Sequence, residues 1–307
     1  MNGLELLPED TLYNGRVKYR READGTLVPL EVMYVNRLIF NPEHCEVSNR
    51  TKLISKYVEY VDAMLDDYPA VTVELEADNR AQNLQRSIRR ASGQLRDYIL
   101  CNDFDLFCTL TLDSTLIKRD DYGAVIRKLN TYLDNRVRRN GLVYVGVPEL
   151  HKKGGIHFHF LCNSEAMKLV DSGCVSVPGH KRPIKVATAK RLHIPPEDWH
   201  TVYNIADWTL GFTTAIKTYG ERGALAKYLT KYLTKDMSGK IGGRWYYSGG
   251  KLQKPVYKYE RGGFADVTNY TYEFQCDGGM FKVALFNDKG EIIHYEKDIR
   301  LDRRQSK

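Results

Sequence analysis

Apolar positions along the chain switch between two repeats. Over 104–113, FDLFCTLTLD, Leu106, Cys108, Leu110 and Leu112 alternate with Phe107, Thr109 and Thr111. Period two is the pattern of a strand, and the apolar content makes it a central one. From Asp121 to Arg139 the period lengthens: Val125, Leu129, Leu133 and Val137 form one stripe. Asp120 or Asp121 can cap the start of this predicted helix, and Asn140-Gly141 ends it. Earlier, 78–101 carries Ala81, Leu84, Ile88, Ala91, Leu95 and Tyr98 at helical spacing. Arg80, Arg86, Arg89, Arg90 and Arg96 decorate the rest of that helix, where a solvated face and a DNA-backbone contact explain them equally well. LVYVGVPE (142–149) and GIHFHFLC (155–162) read as two strands joined by HKKGG, a hairpin. LGFTTAIKTY (210–219) reads as a further strand, and ERGALAKYLTKYLTK (221–235) as a helix broken by GGRWYYSGG. Near the N-terminus VPLEVMYVNRLIF alternates in part, and ISKYVEYVDAMLDDY (54–68) suggests a helix. Near the C-terminus YTYEFQC and KVALFN suggest a small antiparallel sheet.

The order strand, helix, strand, strand, then strand, helix predicts an α+β fold, a central antiparallel sheet with packed helices close to the split βαβ arrangement. Residues 163–200 are less regular. Within them GHKRPIKVATAKRLH is basic, and reads equally as a DNA-contacting loop or hairpin and as a plain surface insertion.

Composition narrows the classes without choosing among them. The 307 residues carry a net charge of +7, 42% hydrophobic and 28% charged residues, as expected of a globular protein with some preference for a polyanionic partner. Six cysteines include no CxxC pair, which argues against a zinc ribbon, and Cys108 and Cys162 read as small core residues. MNGLELLPED is not a signal peptide and no apolar stretch is long enough to span a membrane, so a cytoplasmic location is expected.

Two clusters carry chemistry. His157 and His159 flank Phe158, so on a strand both imidazoles face one side. If the hairpin turn centres on Lys153, Glu149 lies opposite His157 and shares that face. Two imidazoles and a carboxylate make a divalent-metal site, with magnesium or manganese as the expected ion. An HxH pair alone reads better as two satisfied sheet histidines; the carboxylate changes that balance. The second cluster is YLTKYLTK, 228–235, in which the tetrad repeats. On a helix Tyr228 and Tyr232 are one turn apart on one face, with Lys231 and Lys235 each three residues after a tyrosine. A phenolate nucleophile beside a lysine is one reading; tyrosines filling core gaps under solvated lysines is the other. With a phosphate-polarising metal nearby, the nucleophile reading gains, because the two parts complete one reaction.

Three segments in order, LFCTLTLD (106–113), PELHKKGGIHFHFL (148–161) and KYLTKYLTK (227–235), resemble the motifs of the HUH superfamily of nucleases. The resemblance runs from about 78 to 260, includes IADWTLGFTTAIKTY (205–219), and is nearest to the filamentous-phage gene II and ORF2-like replication proteins. It implies a nicking and joining domain over 78–260, an N-terminal region of unassigned role over 1–77 and a β-rich C-terminal extension over 261–307. It further implies His157, His159 and Glu149 as metal ligands, Tyr228 and Tyr232 as a double-tyrosine pair, and Lys231 and Lys235 as their companions. The implied activity is rolling-circle initiation: metal-dependent nicking and rejoining of single-stranded or hairpin origin DNA through a 5′-phosphotyrosine, in a bacterial host. No GxxxxGK[ST] motif occurs, so a host or phage helicase and a DNA polymerase would act as partners. A transposase or mobilisation relaxase, a metal hydrolase using water, and a non-catalytic single-strand binder are the alternatives.

Overall fold

The computed structural model describes residues 12–40, 76–118, 121–150, 155–218, 221–235, 241–261, 267–276 and 279–294. The helix expected over 54–68 and the turn residue His151 lie outside them. In chain order the elements are β1 (Leu12–Arg21), β2 (Leu27–Phe40), α1 (Glu76–Cys101), β3 (Leu106–Leu112), α2 (Tyr122–Asn140), β4 (Tyr144–Leu150), β5 (Ile156–Cys162), β6 (Leu169–Ser176) and β7 (Ile184–Lys185). They continue with α3 (Val186–Arg191), β8 (His200–Ile205), β9 (Gly211–Lys217), α4 (Arg222–Lys235), β10 (Tyr247–Gly249), β11 (Val256–Glu260), β12 (Tyr272–Cys276) and β13 (Gly279–Leu285). The chain divides into two compact units, one of residues 80–254 and one of residues 1–79 with 255–307. Both are built on antiparallel sheets, so the α+β expectation holds.

The larger unit is built on an eight-stranded sheet in the order β10-β4-β5-β3-β9-β8-β6-β7. β3 and β4 each pair antiparallel with β5 between them, so they run parallel to one another with α2 as the crossover, the split βαβ unit. The alternation of β3 explains why helices cover both its faces. Leu106, Cys108, Leu110 and Leu112 are buried with Phe158 and Phe160 of β5 against Val125, Leu129 and Leu133 of α2. On the other face Val145, Val147 and Leu161 are buried with Leu95 and Ile99 of α1 and Ala226, Leu229 and Leu233 of α4. α2 starts where Asp121 Oδ1 accepts from the Ala124 backbone N–H at 2.9 Å and ends on Gly141 in the left-handed region, φ 69°, a conformation that glycine adopts without a Cβ clash.

Packing is tight enough to require glycine at one more place. A Cβ on Gly146 of β4 would fall 2.0 Å from the Phe160 ring, and Phe160 is almost fully buried. Gly146→Ala should therefore lower the free energy of unfolding by about 1–3 kcal/mol through overpacking. Urea denaturation measures this, and unchanged stability would mean that Phe160 swings clear.

The stretch beyond β5 is more regular than its sequence suggests. β6 pairs with β8 and extends the sheet, but its register shifts between Asp171 and Cys174, around Gly173 at φ 69°. That bulge breaks the alternation and hides the strand from a period-two reading. The basic segment 179–193 becomes β7 and α3 at the sheet edge, anchored by a small cluster of Val175, Val177 and Ala189 with Ile184, Ile194 and Trp199 against it. GGRWYYSGG contains the edge strand β10.

The smaller unit is a five-stranded sheet, β11-β1-β2-β13-β12. The C-terminal alternation gives the β12–β13 pair, but β13 continues the sheet by pairing with β2, Val35 opposite Phe281. Across the sheet Arg16 bonds Glu31 at 2.8 Å. No helix among the described residues is long and apolar enough to cross a membrane.

Candidate active site

The register across β4, β5, β3 and β9 sets the site. Glu149 is directly opposite His157, His157 opposite Thr111, and Thr111 opposite Phe212. In the next row on this face Val147, His159, Thr109 and Thr214 are aligned. Directly opposed residues share a face, so both imidazoles, Glu149 and the two threonines stand on the side covered by α1 and α4. Each imidazole has a hydroxyl at Nδ1: Thr109 Oγ1 is 3.1 Å from Nδ1 of His159, and Thr111 Oγ1 is 3.2 Å from Nδ1 of His157. Nε2 of His159 lies 2.7 Å from Glu149 Oε2.

α4 brings the second cluster to the same place. Leu229 and Leu233 bury the inner side of the helix, and Tyr228 and Tyr232 follow one another along its flank. The Tyr232 ring stacks on the His159 ring with centroids 4.1 Å apart and planes at 19°. Its hydroxyl donates to the Tyr228 hydroxyl at 3.0 Å. Phe107 stands behind both, stacked with His159 and edge-on to Tyr228. The two phenols differ in environment: Tyr228 is 42% exposed and Tyr232 only 9%. Burial first, then the hydrogen bond with Tyr228 and the nearby charge of Glu149, hold the Tyr232 phenol well above its usual range, so it stays a protonated donor. The Lys231 ammonium lies 3.8 Å from the centre of the Tyr228 ring and 5.1 Å from that of Tyr232, a cation–π arrangement. Lys235 is the last residue of the helix, and its side chain is outside the described residues.

The residue types suit a divalent cation, although among the described residues no three His, Cys, Asp or Glu side chains already form a cation cage. Hydroxyls at both Nδ1 atoms orient the rings so that Nε2 is the nitrogen a cation would meet, the role that outer partners play at metal-bound histidines. Glu149 would add the carboxylate.

Residues 105–237 match the family model for the replication-associated proteins ORF2 and gene II protein. That stretch holds β3, the β4–β5 hairpin and α4, and so every residue of the two clusters. The match supports a replication-associated family for it. Neither the curated proteins nor the solved structures gave a match to this chain.

Of the residues expected from sequence, His159, Glu149, Tyr232, Tyr228 and Lys231 meet through direct contacts, and His157 joins them through its row. Thr109, Thr111 and Phe107 were not singled out beforehand. Their signal was present: they occupy the alternate positions of β3, and pairing that strand with HFHFL places the threonines beside the imidazoles. On the opposite face a cavity of about 300 Å³ is lined by residues including Arg127, Lys128, Tyr132 and Trp208, away from both clusters.

Proposed function

We propose that this protein initiates replication by cutting and rejoining one DNA strand through a tyrosine–phosphate intermediate, with a magnesium or manganese ion on Glu149, His157 and His159. The reading is carried by one observation: His159 stacks on Tyr232, which in turn bonds Tyr228. That contact supports reading the imidazole pair, with His159 buried and His157 half-buried, and the tyrosine pair as parts of one site rather than as two separate features of a core.

A bound divalent ion would withdraw charge from the scissile phosphate and fix its orientation. Tyr228 is the better placed first nucleophile, because its ring is open to solvent while Tyr232 is buried. Its oxygen forms the new bond to phosphorus as the bond from phosphorus to the 3′ oxygen breaks. The phenolic proton passes to solvent, and the departing 3′ oxygen takes up another. Tyr232 keeps its proton and donates it toward the Tyr228 oxygen, which fixes the direction of that oxygen. One phosphodiester is exchanged for another, so reversal needs no nucleotide triphosphate. The free 3′-hydroxyl would prime a polymerase, and strand separation would fall to a partner helicase.

The test mixes the protein with end-labelled single-stranded DNA from its own locus and manganese, then runs a denaturing gel. A labelled band at protein mass is expected. Cleavage without such a band would make water the nucleophile, and neither product, with the locus tiled and both ions tried, would overturn the proposal. The ring-orienting threonines give a separate check. Thr109→Val with Thr111→Val keeps the shape of β3 and removes both hydroxyls, so manganese affinity should weaken roughly 10–100-fold. Titration calorimetry reads this directly, and an unchanged affinity would show that the hydroxyls do not orient the ligands.

A further inference from the structure

We infer that the sheet face beside the imidazoles is a track for single-stranded DNA on which Phe212 stacks a base next to the position that is cut; the place of the cut rests on the function proposed above. Phe212 stands in the row Glu149, His157, Thr111, Phe212, two strand spacings from His157, or roughly 10 Å. It shares the face of the imidazoles. It is also 66% exposed, more than any other large hydrophobic residue described. Burying such a ring is favourable, and here that gain is left for a ligand.

The face beyond Phe212 is open at Thr214, Asn204 and Val170, whereas Val202, in the next row toward Lys185, is buried. The cluster under α1 and α4 draws on β4, β5 and β3 but on no residue of β9, β8 or β6. Beyond β3, Thr214 faces the same way, being opposite Thr109. Val202 faces Ile216 across β8 and β9, so Asn204, two residues on, is on this face too, with Val170 of β6 opposite it. Thr214 and Asn204 are exposed, and Val170 is 49% exposed. At the outer edge Lys185 pairs with Cys174, which pairs with Val202, so Lys185 ends this face and is exposed.

Charge selects the occupant. Asp171, the one carboxylate on β3, β9, β8, β6 and β7, is opposite Tyr203, whose neighbour Val202 is on the imidazole side, so Asp171 is on the far side. Residues 172–196 hold five Lys or Arg and no Asp or Glu. From β5 to β7 the face spans five strand spacings, roughly 24 Å, room for a few nucleotides. A ring lying on a sheet stacks an unpaired base, and not one held inside a duplex. A polyanion with splayed bases therefore fits the aromatic ring, the polar middle and the cationic edge together.

The experiment measures fluorescence anisotropy of two labelled strands of equal charge and of about twenty nucleotides, above the usual site size of sheet-based binders. One is oligothymidylate and the other is its abasic counterpart. The protein is the full chain with Tyr228→Phe and Tyr232→Phe, which prevents cutting. Adding Phe212→Ala should weaken oligothymidylate binding by roughly five- to a hundred-fold, leave the abasic strand unaffected, and leave the melting temperature unchanged; Phe212→Trp should restore affinity. Lys185→Ala should lower the salt-dependence slope by about 0.7 for both strands. Equal binding of oligothymidylate with and without Phe212, an equal loss on both strands, or no binding of either would overturn the track. An adduct from the unaltered protein alongside any of these results leaves the cutting chemistry standing. Phe212-dependent binding without an adduct keeps the track and removes the chemistry.

Discussion

Replacing Tyr228 and Tyr232 together with phenylalanine should abolish the protein–DNA adduct and lower strand cutting by a factor on the order of 10⁴ or more, as loss of a nucleophile does elsewhere. Phenylalanine keeps both rings, including the stack of residue 232 on His159, so the fold should survive and thermal melting should confirm it. The single variants divide the roles. Tyr228→Phe should remove the adduct, because the exposed phenol is the one that a phosphate can reach. Tyr232→Phe should still form it, more slowly, having lost the donor that holds the Tyr228 oxygen at 3.0 Å. An adduct of normal yield in Tyr228→Phe would reverse this assignment, and one in the double variant would falsify the tyrosine mechanism.

His157→Ala should have the next largest effect. On the proposed ligand set, its loss would remove Lewis-acid help worth several kcal/mol, so nicking should fall on the order of 10³-fold and manganese affinity should fall with it. His157 is the cleaner test of the pair. His159 also stacks on Tyr232 and bonds Glu149, so its removal disturbs α4 and Glu149 as well. Manganese titration followed by electron paramagnetic resonance reads the site without requiring turnover. A His157→Ala protein that binds manganese and nicks as well as its parent would sink the metal assignment.

Much of this arrangement was legible in the sequence because it is local. The spacing of Glu149 and His157 about a short turn contains the hairpin register, and the alternation of β3 contains its two-faced burial. The four-residue step from Tyr228 to Tyr232 contains their shared flank. What could not be read depends on contacts between segments far apart. Nothing in YLTKYLTK says that its second tyrosine, and not its first, will lie on an imidazole, since that follows from how α4 packs across β4 and β5. β6 was missed because the bulge at Gly173 interrupts its alternation. Phe212 looked like one more strand residue until its row placed it two strands from His157. The partner of the β12–β13 pair was hidden for a different reason: β13 pairs with a strand near the other end of the sequence, and alternation carries no information about which edge a strand will meet.

On the ribosome, such a chain completes itself from the inside out. β1 and β2 emerge first and can close as a hairpin, yet Gly15 waits for Glu260 and Val35 for Phe281. Every strand of the eight-stranded sheet lies between Leu106 and Gly249, so that unit has all its parts while the five-stranded sheet still has two of five. The usual order, with N-terminal structure finished first, is inverted here. During that interval both edges of the early hairpin present unpaired backbone groups, the kind of surface that templates aggregation. Nascent or truncated chains ending between Lys254 and Gly279 should therefore be prone to aggregate, even though their imidazole- and tyrosine-bearing unit is already whole.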